Sequence, residues 1–175
     1  MKTININIYK SIIAFAILLV MPATSIGGQY NSIHNKLYNG YGQSVLFNEI
    51  VSAQGNTIVV FWESNNPRHE EFLEELETLR TDMSGENEFN IIAICTDIHH
   101  NTQQIMSKVA GNDWGFDVYV DVNRDFARKN GLKNELHTLF YINGEEVDEM
   151  SSKKSSAELI VNNYILNKNS YRNPA

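Results

Sequence analysis

The chain predicts an α/β fold in which a mixed β-sheet carries helices on both faces, and three observations predict it. The runs from Thr57 to Phe61 and from Phe89 to Cys95 are apolar and rich in β-branched residues, the mark of strands covered on both faces. The segments after them repeat apolar residues at helical spacing. Asn143-Gly144, between two strand-like runs, is the strongest two-residue hairpin signal. Together they give the order β-α-β-α-β-α-β-β-α.

Each element has a local reason. Gln29 to His34 is a polar lead-in, Asn39 to Gly42 a turn, and Ser44 to Phe47 a short strand-like or helix-approach segment. After the strand from Thr57, Asn65 or Asn66 can cap a helix whose first turn suits Pro67. Phe72, Leu73, Leu76 and Leu79 form its apolar face, and glutamates fill the remainder, those near the start complementing the positive helix end. A polar loop from Thr81 to Asn87 leads to the second buried strand, and the loop from Thr96 to Asn101 follows it.

Asn101 or Thr102 caps a helix through Ile105, Met106 and Val109, ended by Gly111. Phe116 to Val120 is a third strand. Asn123 opens a short helix containing Phe126 and Ala127 and closing at Asn130-Gly131. Thr138 to Ile142 and Glu145 to Met150 form the hairpin. Ser155 and Glu158 make a capping box for a last helix through Leu159, Ile160, Tyr164 and Ile165.

Composition bounds the function. Lys2 and Lys10, an uncharged apolar core of ten residues from Ile12 to Met21, Pro22 and a small-residue stretch read as a signal peptide. That core is shorter than the roughly 20 residues a spanning helix needs. The expected organisation is a removed segment 1–27, cleaved after Ser25 or Gly27, a flexible lead-in 28–41, one domain at 42–167 and a disordered tail at 168–175. The mature chain is expected to be exported and soluble, and periplasmic or secreted in a bacterium. Losing the segment's two lysines moves the formal charge from −7 to −9, which disfavours nucleic acid and anionic membranes. Cys95 is the only cysteine, so an intramolecular disulfide is impossible; at the end of an apolar run it reads as an inert buried thiol.

The stretch from Thr57 to His69 resembles the strand, loop and helix start of the thioredoxin superfamily, in its extracytoplasmic TlpA/ResA-type branch. The motif there is roughly V-V-x-F-W-A-x-W-C-x-x-C. Val118 to Leu132 and Thr138 to Gly144 resemble the branch's P-V-x-x-D…A-x-x-Y-G-V and P-T-x-F-x-I-x-x-x-G. The resemblance covers about residues 42–166 and implies a thioredoxin-like sheet with the branch's extra central strand and helix.

Aligned on Phe61-Trp62, the two redox cysteines of the family fall on Asn66 and His69, with Pro67-Arg68 between them. Neither residue can form the mixed disulfide of thiol exchange. The family's cis-proline falls on His137, where a non-proline cis bond would cost about 3–4 kcal/mol, so a trans bond is expected. An acid found on the first buried strand of many thioredoxins falls on Val60. These departures imply a protein that is not a redox enzyme and needs no cofactor. It would bind a protein or peptide partner in the former active-site groove, lined by Trp62, Asn66, Pro67, Leu136 and His137, by strand addition at the hairpin edge. Trp62 also suits packing beneath the helix start.

A different chemistry could use the same rim. His69, His99, His100 and His137 all fall at the carboxyl ends of the parallel strands, where open α/β sheets bind ligands. A zinc or copper site needs three or four such donors, which makes a metal-binding or metallochaperone role the alternative. The copper-binding Sco-type relatives use two cysteines and a histidine, and the cysteines are absent here. Residual thiol-disulfide exchange through Cys95 is the third reading.

Overall fold

A computed structural model describes residues 36–172, leaving out 84, 98–101, 113, 134 and 152–155. In chain order the elements are β1 (Lys36–Tyr38), β2 (Ser44–Leu46), α1 (Phe47–Gln54), β3 (Thr57–Trp62), α2 (Pro67–Asp82), β4 (Asn90–Cys95), α3 (Thr102–Val109), β5 (Asp117–Val120), α4 (Asp125–Lys129), β6 (His137–Ile142), β7 (Glu145–Ser151) and α5 (Ala157–Arg172). The described strands form one sheet in the order β2-β1-β5-β4-β3-β6-β7. β3, β4 and β5 run parallel, and antiparallel strands flank them on both sides.

All six residues of β3 are buried, as a strand covered on both faces must be. Strand alternation divides the core in two. Val60, Trp62, Ala93, Cys95 and Phe140 face α2, α3 and α5, where Phe72, Leu73, Leu76, Ile105, Ile160 and Tyr164 pack. Val59, Phe61, Ile92, Ile94, Leu139 and Tyr141 face α1 and α4, where Phe47, Ile50, Val51 and Phe126 pack.

The nine expected elements occur in the expected order, and three more precede them. Residues 36–38, expected in the flexible lead-in, form β1, paired with both β2 and β5. The helix α1 follows β2 directly. It has one short stripe of Phe47, Ile50 and Val51, its cap residue Leu46 offers no side-chain hydrogen bond, and Gly55 at φ 71° ends it. The last helix also outruns expectation, continuing to Arg172 through the supposed tail. Lys168 is buried, its ammonium 3.3 Å from the Glu88 carbonyl and over the Tyr164 ring, while the Tyr171 hydroxyl donates to Glu145. These tertiary contacts order a stretch that is polar by sequence.

Asn123 does not open α4. Asn123 and Arg124 both take left-handed backbone, φ 58° and 55°, in a 3-10 turn before it. The buried Asp121 carboxylate accepts from Phe126 N and Ala127 N, each at 2.9 Å, and so caps the helix from upstream. Burial pushes this carboxyl above its ordinary range. Asn143 and Gly144 have φ 53° and 81°, as the hairpin turn requires. Ser155 lies outside the described residues; Ser156 Oγ accepts from Leu159 N instead.

Candidate functional site

The parallel strands β3 and β4 end side by side, with Trp62 opposite Cys95 in the ladder. The chain leaves β3 through Glu63, Ser64 and Asn65 and enters α2. The Asn66 side chain accepts from Arg68 N at 3.2 Å, so Asn66 is the cap, with Pro67 in the first turn as expected. Asn65 and Pro67 are exposed. The two positions that resemble redox cysteines therefore serve the backbone: Asn66 as cap, and His69 through its ring.

His69 Nδ1 accepts from Glu63 N at 3.0 Å. The other ring nitrogen, Nε2, lies 3.1 Å from the Asn66 amide nitrogen. Burial lowers the His69 pKa, and the Asp97 charge partly opposes this. The helix spacing 69, 72, 73, 76 makes His69 part of the buried face, a role its polarity concealed in the sequence.

Beneath the loop, Asp97 is buried and accepts both Ser64 N at 3.0 Å and the Ser64 hydroxyl. Lys108, on α3, donates to the Ser64 carbonyl and pairs with Glu70 of α2. The central helix is thereby tied to the loop and to α2. Asp97 was visible only as a residue after a strand and Glu70 only as an acid in the first turn of α2, while Ser64 and Lys108 carried no sequence signal. Ser64, Asn65, Gln104, Ile105 and Lys108 line a cleft of about 430 Å³ beside the start of α2.

Cys95 is fully buried. Burial first, and the nearby Asp97 charge second, push its thiol up to about 12. At neutral pH the thiolate that exchange requires is absent. Val60 is a core residue, as its position implied.

The expected groove is altered in two ways. Trp62 is 1% exposed and packs edge-on against Trp114, so it supports the site from below and offers no surface to a partner. Leu136 and His137 are buried as well. The peptide bond before His137 is trans. His137 pairs with Phe61 on one side and Ser151 on the other, so β6 is not a free edge. Strand addition to β6 is closed from His137 onward, leaving on that strand only the stretch at 135–136 that leads into it.

His69 and His137 also part company. His137 alternates with Leu139 and Tyr141 onto the α1 and α4 face, its ring 6.1 Å from Phe61 and its Nε2 3.4 Å from Glu149. His69 rides on α2, which packs against the other face. Burial lowers the His137 pKa, against the charges of Glu149 and Glu135. The expectation of a shared rim for these two rings is corrected by strand alternation. His99 and His100 lie outside the described residues. Among the described residues no group of three or more His, Cys, Asp or Glu side chains is arranged to hold a metal ion.

No protein-family model and no curated protein matches the chain. Solved structures do. An uncharacterized thioredoxin-like protein from Porphyromonas gingivalis superposes with TM-score 0.63 at 25% identity, over 75% of this chain and 89% of that one. A secreted disulfide oxidoreductase from Mycobacterium tuberculosis gives 0.59 at 10% identity, over 75% and 94%. A thiol:disulfide interchange protein from a Bacteroides species gives 0.58 at 12%, over 79% and 88%. The class is thereby set: the chain has a thioredoxin-like fold whose structural neighbours include thiol:disulfide interchange proteins. It carries a single cysteine, and hence no C-x-x-C pair. No described helix is long and apolar enough to cross a membrane.

Proposed function

We propose that this protein is an exported thioredoxin-like binding protein without thiol chemistry, holding an extended segment of a partner protein at the start of α2. Cys95 is the observation that carries the reading. The chain's only thiol is buried on the core side of β4 and held protonated at neutral pH, while the two helix-start positions are spent on a cap and a backbone acceptor.

What remains at that end of the sheet supports binding. The exposed Asn65 and Pro67 stand beside the cleft lined by Gln104, Ile105 and Lys108, which is of the size that receives a side chain or a small ligand. The backbone at 135–136 precedes the paired strand and is the stretch left there for capture of a peptide backbone. Export rests on the N-terminal segment and on neighbours that include a secreted protein.

Peptide selection against the mature chain, followed by amide mapping, tests this. Selected peptides are expected to shift the amides of Asn65, Asn66 and Leu136 and to lose affinity in Pro67→Glu. Peptides that map to another surface, or a selection that yields none, would overturn the proposed site.

A further inference from the structure

The two edges of the sheet are unequal. β2 is three residues long, too short to template another strand, whereas β7 has seven residues and ends the sheet on the other side. β7, with the sequence Glu-Glu-Val-Asp-Glu-Met-Ser, is neither short nor closed by proline or lysine; acidic charge and a bulge guard this edge, and that charge repels a like-charged strand but not a cationic one.

A bulge organises its charges. Phe140 pairs with Asp148 and Tyr141 pairs with Glu146, so Val147 is the extra residue. Glu146 and Glu149, three apart in sequence, thereby stand opposite Tyr141 and Leu139, residues two apart on one face of β6. An unbulged strand would send these two carboxylates to opposite faces. The bulge gathers them on the α1 and α4 face. Glu145 and Asp148 fall on the other face, where Tyr171 and Asn167 of α5 donate to them. Glu146 accepts from the Tyr141 hydroxyl, at 3.0 Å. Burial, with the charge of Glu149 beside it, raises its carboxyl to about 7, against the Tyr141 hydrogen bond.

We propose that the outer edge of β7 docks a cationic extended segment of another protein, which adds as a further strand and sets alternate lysine or arginine side chains against Glu146 and Glu149. Charge selects that occupant. A second copy of β7 would place carboxylates across from carboxylates, and each whole chain carries −7. A strand with cations at every second residue matches the spacing that the bulge creates, and backbone pairing along the edge supplies the remaining affinity. This edge is separate from the cleft at α2.

The test is an NMR titration of the ¹⁵N-labelled mature chain with an acetylated octapeptide of alternating lysine and valine. A peptide of equal charge with a proline at every valine position, unable to join a ladder, serves as control. The alternating peptide is expected to slow amide exchange in residues 145–151. The control should bind at least about tenfold more weakly, and E146Q/E149Q should weaken the alternating peptide by at least about tenfold, roughly 1.4 kcal/mol. Pro67→Glu should leave this binding unchanged, which separates it from the site at α2. Equal binding of both peptides, shifts confined to other surfaces, or protection of β7 arising from self-association would each overturn the proposal.

Discussion

The carboxylate of Asp97 accepts both the backbone N–H and the hydroxyl of Ser64, joining the end of β4 to the loop that leaves β3. Both residues are buried, so the pair has no water to fall back on. It fixes the loop from which α2 starts, and Lys108 fastens the same loop from the other side. In this thioredoxin-like fold, which has no C-x-x-C pair, hydrogen bonds thus keep the loop between β3 and α2 in place.

Asp97→Ala should therefore destabilise the fold by about 2 kcal/mol, since it strands a buried N–H and a hydroxyl. Ser64→Ala, which keeps the N–H bond, should cost about 1 kcal/mol. Urea unfolding of both variants and of the double variant gives the coupling. Additive effects would show that the pair does not act as a unit.

His69 and His137 should titrate independently, because His137 faces α1 and α4 while His69 sits on α2, which packs on the opposite face of the sheet. Both pKa values lie below the ordinary histidine value because of burial. For such a group the folded state binds the proton less well than the unfolded chain. Its stabilisation is complete above about 6.5 and is lost as the pH falls through the folded value. Protonating His69 also removes the acceptor of Glu63 N. The expected result is a native state that weakens on acidification below about 6.5, a loss reduced in His69→Gln. In NMR titrations, His137→Asn should leave the His69 signal unmoved. A shift of that signal would mean that the rings do share a rim.

Glu146 has the opposite sign. Its carboxyl is raised to about 7 in the fold, so its contribution is complete below the unfolded value near 4.5 and is lost as the pH rises through about 7. Glu146→Gln is expected to be more favourable, relative to the parent, at pH 8 than at pH 4. Equal effects at the two pH values, measured by denaturant unfolding, would place Glu146 in water.

Asn66→Cys with His69→Cys should return a dithiol to the first turn of α2, where the helix end favours the thiolate. The variant loses a cap and a backbone acceptor, at a cost of roughly 2 kcal/mol, yet should close a disulfide in oxidising glutathione. Thiol titration reports the outcome. Two thiols that stay free in a folded variant would mean that the alignment of this loop is wrong.

The legible parts of the fold were those with strong local signals. Thr57 to Trp62 and Phe89 to Cys95 announced themselves by composition, and Asn143-Gly144 by turn chemistry. β1 and α1 were hidden because three-residue strands and an uncapped eight-residue helix draw their order from tertiary contacts such as Leu37 and Phe47 in the second core. At the site, the cap at Asn66 and the burial of Cys95 were readable. The burial of Trp62 and the parting of His69 from His137 depended on which face each strand residue takes, a matter of register. Lys108 reached the loop only through the packing of α3, which no spacing in the sequence encodes.

The proposed absence of thiol exchange is open to the most direct measurement. Insulin reduction by dithiothreitol, followed by turbidity with and without the mature protein, measures it. The expected rate equals that of dithiothreitol alone, because Cys95 is buried and protonated and no second thiol exists. Acceleration above that rate which disappears in Cys95→Ser would contradict the account.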